Sequence, residues 1–200
     1  NGEDIHKATA AKVFEVPLEE VSREQRSNAK TVNFGIVYGV SAFGLSQQTD
    51  MSRKEAKAAI DGYFRTYPGI KSYMDDQVAF ARENGYVETI TGRRRYLKDI
   101  ESRNAVVRGH SERNAVNAPI QGSAADIIKL AMIEIDRAMR AEGLKSKMLL
   151  QVHDELVFDV VKEELEMLQE LVVEKMEAAV DLAVPMIAEV GTGKTWLEAH

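Results

Sequence analysis

Apolar residues recur at helical spacing through the first 85 positions, and turn signals cut that pattern into short segments. A helix is predicted over Ile5 to Phe14, and Pro17 breaks it. Ser22 and Gln25 form a capping-box pair for a second helix, reaching about Gly39, and Gly39 and Gly44 are expected to bracket a turn. Ser52 with Glu55 repeats the signal for a helix running to about Tyr67, after which Pro68-Gly69 opens another that ends at Asn84-Gly85. The pattern then changes. YVETI and RRRYLKD flank TGR and predict a short β-hairpin. An Ala-rich helix follows from about Asn104, with an expected interruption at Asn117 to Pro119 and a resumption through GSAADIIKLAMIEIDRAMRAEG. KMLLQVHDELVFDVV carries two apolar runs around His153-Asp154 and predicts a second hairpin, over about 148–160. Glu163 to Leu182 returns to helical spacing, and VPMIAEVGTG predicts a closing strand. Two parts follow: a helical one over 1–85 and a mixed α+β one over 86–200.

Within the second predicted helix, Arg26, Lys30, Phe34 and Tyr38 fall every fourth residue. A four-residue step drifts by about 40°, so these side chains form one slowly turning stripe roughly 18 Å long. Two cations suit phosphate, and two aromatics suit the flat face of a base or sugar. A nucleoside triphosphate has that polarity. An ordinary amphipathic helix, aromatics inward and cations outward, has the same spacing, and spacing alone leaves both open.

The 200 residues suffice for one large domain or two small ones, with 44% hydrophobic and 29% charged residues as in ordinary globular chains. The absence of cysteine excludes disulfides and thiolate metal sites and fits a reducing compartment. No apolar run approaches the ~20 residues of a membrane span, and polar Asn1 to His6 predicts no secretory leader. The net charge of −6 is unevenly placed. Lys162 to Val190 holds eight acids and two bases; Arg93 to Arg113 holds seven bases and three acids. The basic block could face phosphate or be a solvated loop.

VHDE is the second candidate for chemistry. Its flanks are apolar enough for buried strands, and a His-Asp-Glu triplet between buried strands is costly unless something binds it. Carboxylates at a tight hairpin can serve Mg²⁺, and equally Asp154 can simply supply the turn. GTGKT mimics a phosphate-binding loop, but the position five before Gly193 is Ala188 and only five residues follow Thr195, so no helix can receive a phosphate. A non-haem metal triad at His153 lacks a suitably spaced second histidine.

Taken together, R-x3-K-x3-F-x3-YG at Arg26, Lys30, Phe34, Tyr38 and Gly39 resembles motif B of the family A DNA polymerases, and VHDE resembles their motif C. ERNAVNAPIQGSAADIIKLAM is similar to the palm helices of that family, and DIHKATAAKVF to the segment ahead of motif B; the resemblance runs in order along the whole chain. It implies an α+β fold, with helical fingers over 1–85 and a palm portion over 86–200 built from a small antiparallel sheet and packed helices. It also implies template-directed addition of dNTPs to a primer 3′-hydroxyl by two-metal-ion nucleotidyl transfer.

Carried over residue by residue, Asp154 would ligate catalytic Mg²⁺ with Glu155 near it, and His153 would lie by the primer terminus. Lys30 would bind the triphosphate and give a proton to the leaving pyrophosphate, while Arg26 and His6 would hold the outer phosphates. Phe34 would line the sugar and base pocket, its Phe rather than Tyr implying discrimination against dideoxynucleotides, and Tyr38 would sit at the template entry. Arg113, Asn117 and Gln121 would follow the minor-groove side of the nascent pair, and Arg108 would touch the DNA backbone. One departure matters: the motif A strand, with the first metal-binding aspartate, is not found here. The two-ion Mg²⁺ site is therefore expected to be complete only with the rest of a longer polymerase chain, and these 200 residues alone are expected to be inactive. The alternative is a non-catalytic split or truncated module that binds primer–template DNA or a complementary polymerase chain. A bacterial cytoplasmic, nucleoid-associated location follows from the same resemblance.

Overall fold

The first helices begin where their capping residues dictate. In a computed structural model, which describes residues 4–199, α1 (Ile5–Val13) is capped by Asp4, whose carboxylate accepts the amides of His6 and Lys7. α2 (Arg23–Val37) and α4 (Arg53–Thr66) each start with the complete reciprocal box anticipated at Ser22/Gln25 and Ser52/Glu55. α3 (Ala42–Gln48) lies between them and contains Gly44, so Gly44 is helical and does not bracket the turn. Gly39 alone provides the left-handed turn, at φ 71°. α5 (Pro68–Asn84) has Pro68 in its first turn, where no amide is missed, and stops at Gly85 with φ 76°.

These helices bury one face each. Val32 and Ile36 of α2, Leu45 of α3, and Ala56, Ala59 and Tyr63 of α4 form one core cluster. β1 (Tyr86–Glu88) and β2 (Arg94–Tyr96) pair antiparallel, as the YVETI/RRRYLKD pattern predicts. A second cluster joins Ala81, Val87, Leu97 and Ile100 to Ala115 and Ala118.

The expected break at Asn117 to Pro119 is absent. α6 runs unbroken over Ala105–Ala141, 37 residues, with Pro119 inside it. Proline there removes the amide that would bond the Ala115 carbonyl and crowds that carbonyl with its ring. Two features offset this. Ala115 and Ala118 are buried against α5-side residues, and the Tyr73 hydroxyl donates to the Val116 carbonyl at 3.1 Å, beside the disrupted position. Packing just ahead of the proline outweighs the local penalty.

Two compact units divide between Ile120 and Gln121, within α6. In the second unit, β3 (Lys147–Val152) and β4 (Glu155–Asp159) form an antiparallel hairpin with His153-Asp154 at its tip. α7 (Leu165–Glu177) packs Leu168 and Val172 onto Ala131, Ile135 and Met139 of α6. The acidic Glu164 carboxylate ties this unit together, accepting the Lys145 and Ser146 amides and the Ser146 hydroxyl.

Three expectations fail here. Leu149 and Leu150 are exposed, so β3 is not a buried strand; its sheet has two strands. α7 ends at Glu177, short of Leu182. Residues 184–193 form no strand; their apolar, β-branched composition meets no described strand to pair with. A four-residue turn of helix, α8 (Trp196–Ala199), follows.

Candidate functional site

The face that α2 turns inward is Ala29, Val32, Asn33 and Ile36. The Arg26–Tyr38 stripe lies outside that face. Phe34 is 51% exposed and Tyr38 55%. Two large aromatics thus stand open on one side of a helix whose core contacts are already satisfied. The amphipathic alternative, aromatics inward, is contradicted.

The exposed stripe forms one wall of a cleft of ≈ 630 Å³. Lys30, Phe34 and Tyr38 line it together with Gly39, Gln48 and Arg113 of α6. Gly39 is required twice over. Its φ is left-handed, and a Cβ there would approach Arg113 Cγ at 2.7 Å. The glycine lets the Arg113 stem lie against the end of α2, bringing a residue 74 positions away to the same cleft.

α1 closes the other end of the stripe. The His6 and Phe34 rings lie 5.6 Å apart, tilted by 46°. Asn33 Nδ2 donates to His6 Nδ1 at 2.9 Å. Arg26 Nε donates to Asp4 Oδ2 at 2.7 Å. This hydrogen bond, followed by the Lys7 amide, holds the Asp4 carboxyl below the usual carboxylate range. Five of the sequence-derived residues, His6, Arg26, Lys30, Phe34 and Tyr38, therefore share one short stretch of surface, and Arg113 joins them. Asp4 and Asn33 were not anticipated. An acid just ahead of a predicted helix is an N-cap signal that could have flagged Asp4; nothing in the spacing marks Asn33.

Along α6, Arg113, Asn117 and Gln121 follow at four-residue steps. Asn117 Oδ1 is buried without a hydrogen-bond partner among the described residues, while Gln121 is exposed. Arg108 donates to the Ser102 carbonyl at 2.9 Å, anchoring the start of the helix. Elsewhere in the basic block, Arg94 pairs with Glu88 at 2.7 Å and stacks over Tyr86 at 4.3 Å. Part of that positive charge is thus spent within the β1–β2 hairpin.

In the second unit, His153 occupies the tip of the β3–β4 hairpin at φ 52°, a left-handed conformation unusual for a residue with a side chain. Gln151 Nε2 donates to the His153 carbonyl at 2.8 Å and supports the turn. Asp154 is exposed beside it, so the triplet does not carry the burial cost that buried flanks would impose. The Glu155 carboxylate accepts Trp196 Nε1 at 3.3 Å. Adjacent carboxylates at an exposed turn suit a hard cation such as Mg²⁺, which takes one or two of them plus phosphate oxygens. No group of three or more His, Asp or Glu that could hold a metal is found among the described residues. No helix is long and apolar enough to cross a membrane among the described residues.

Comparison with known proteins identifies the family. The sequence model of DNA polymerase family A matches residues 1–198. DNA polymerase I of Streptococcus pneumoniae serotype 4 is 56% identical over 199 residues, covering 99% of this chain and 23% of that protein. DNA polymerase I of Bacillus subtilis is 50% identical over 199 residues, 100% of this chain and again 23% of its own length. Among solved structures, the POL domain of Pol1 from M. smegmatis, in complex with DNA primer-template and dNTP, superposes with a TM-score of 0.93 at 48% identity, covering 99% of this chain and 35% of that one. The chain thus spans about a quarter of the curated relatives it matches. With the family model matched almost end to end and the fold shared at high identity, this chain belongs to DNA polymerase family A.

Proposed function

We propose that these residues are the nucleotide-binding fingers and the motif C portion of the palm of a DNA-directed DNA polymerase, acting on primer–template DNA and dNTPs together with further parts of the polymerase. The observation that carries this reading is the outward exposure of Phe34 and Tyr38 in line with Lys30 along one cleft, with Arg26 one turn further along the same helix. The cationic end receives the triphosphate, and the aromatic end receives sugar and base. Nucleotidyl transfer is an in-line displacement of pyrophosphate by the primer 3′-hydroxyl, in which the protein chiefly positions and neutralises. Lys30 Nζ binds the outer phosphates and donates a proton to the departing pyrophosphate. Arg26 and His6 hold the same phosphates, and Phe34 packs on the sugar. Arg113, Asn117 and Gln121 probe the minor groove, whose acceptors lie in similar places in every Watson–Crick pair, so they test pair shape without reading sequence. Asp154 and Glu155 would hold Mg²⁺, which when bound supplies charge neutralisation at the phosphates.

We infer further that the chain alone does not catalyse, because the motif A aspartate that the family resemblance implies for the metal site is not found in its sequence. The second reading, a non-catalytic module that pairs with a complementary chain, draws on the two-stranded β3–β4 sheet with Leu149 and Leu150 exposed, since an open edge recruits strands. Titration of dATP into the chain tests the nucleotide site. Lys30→Ala should weaken binding roughly ten- to hundredfold, the worth of a charge-assisted phosphate contact. Equal affinity in the variant, or none in the wild type, contradicts the assignment.

A further inference from the structure

His6 has two ring nitrogens, and one is already committed. Its Nδ1 lies 2.9 Å from Nδ2 of Asn33, a side chain on the inward face of α2 that is only 9% exposed. An amide nitrogen donates and does not accept, so Nδ1 must be the unprotonated, accepting nitrogen. The neutral ring then carries its proton on Nε2. Two other contacts restrict the ring. Its own backbone amide is bonded to the Asp4 carboxylate at 3.0 Å, and its face is tilted against Phe34. Nε2 is the polar edge left for a ligand.

We propose that Asn33 is a positioning residue that holds His6 in the Nε2–H tautomer, so that the ring offers an N–H donor to a phosphate oxygen of the incoming nucleotide. The inference rests on the reading of His6 as a nucleotide ligand. Phosphate oxygens accept hydrogen bonds, so a ring presenting a bare Nε2 lone pair would meet them acceptor to acceptor. A free imidazole populates both tautomers; the buried amide selects the one that phosphate needs before the nucleotide arrives, which is preorganisation. Asn33 Oδ1 is buried with no hydrogen-bond partner among the described residues. Turning that amide over would place Oδ1 on Nδ1 and select the opposite tautomer. The position of one proton therefore decides the matter.

The test is the ¹⁵N spectrum of the imidazoles in the whole chain at about pH 8.5, above the usual imidazole titration range. His6 should show a pyrrole-type Nε2 and a pyridine-type Nδ1. Asn33→Asp puts an acceptor where the donor was and should move the proton to Nδ1, while dATP affinity falls roughly tenfold for one lost donor. A wild-type spectrum with the proton on Nδ1 overturns the proposal without any variant having to fold. So does an Asn33→Asp protein that keeps the Nε2–H tautomer, or one that switches tautomer with unchanged affinity while Lys30→Ala still binds weakly. If Lys30→Ala has no effect on dATP, the nucleotide reading itself fails, and the spectrum still decides what Asn33 does to His6.

Discussion

Arg26, Lys30, Phe34 and Tyr38 were legible because a four-residue step on a helix is a statement about neighbours on one face. Their partners were not. Asp4 and Asn33 act on Arg26 and His6 across a fold, at sequence separations of 22 and 27, and periodicity carries no information about such pairs. Gly39 was noticed as a turn, yet its close approach to Arg113 depends on a residue of α6 that only the fold brings near. Asp4 also makes a prediction about pH. Its carboxyl is held below the ordinary value chiefly by Arg26, so the ion pair contributes stability above the unfolded carboxylate pKa of about 3.9 and loses it as pH falls through the lower folded value. Asp4→Asn keeps a capping side chain and removes the charge. In urea denaturation the wild type should exceed the variant in stability at pH 7, with the gap closing toward pH 2. A gap independent of pH would show that capping, not the Arg26 pair, is what Asp4 provides.

The elements were read well where signals are local and poorly where packing decides. Capping boxes at Ser22 and Ser52, the stop at Gly85 and both hairpins are set by a few adjacent residues, and all are present. Pro119 suggests a break because its penalty is local, while the compensation is not: Ala81, Val87, Leu97 and Ile100 pack against Ala115 and Ala118, and the Tyr73 hydroxyl reaches the Val116 carbonyl from α5. The 184–193 segment misled in the opposite sense, having strand composition without a described partner strand. Tyr73→Phe should destabilise the protein by about 1 kcal/mol, the usual net worth of a buried hydrogen bond, and by measurably less in a Pro119→Ala background, where the helix regains its own amide. Equal losses in both backgrounds, measured by denaturant unfolding, would separate the hydroxyl from the proline.

For the molecule as a whole, net charge was a poor guide. Within a chain of net charge −6, the stretch at 162–190 holds eight acids against two bases and the stretch at 93–113 seven bases against three acids, and Arg113 from the latter lines the cleft. Two compact units, each with its own apolar packing, hold the two candidate sites: the aromatic and cationic cleft in residues up to Ile120, and the His153–Asp154–Glu155 tip beyond it. No group of three or more possible metal ligands occurs among the described residues, and on the proposed reading the tip is one part of a larger site. Mg²⁺-dependent primer extension by the 200-residue chain alone, with Asp154→Ala beside it and folding checked by circular dichroism, tests that division most directly. The account predicts a folded protein and no extended primer from either form. Extension by the wild type that Asp154→Ala abolishes would mean these residues hold a complete metal site, and the reading of the tip as a partial one would be wrong.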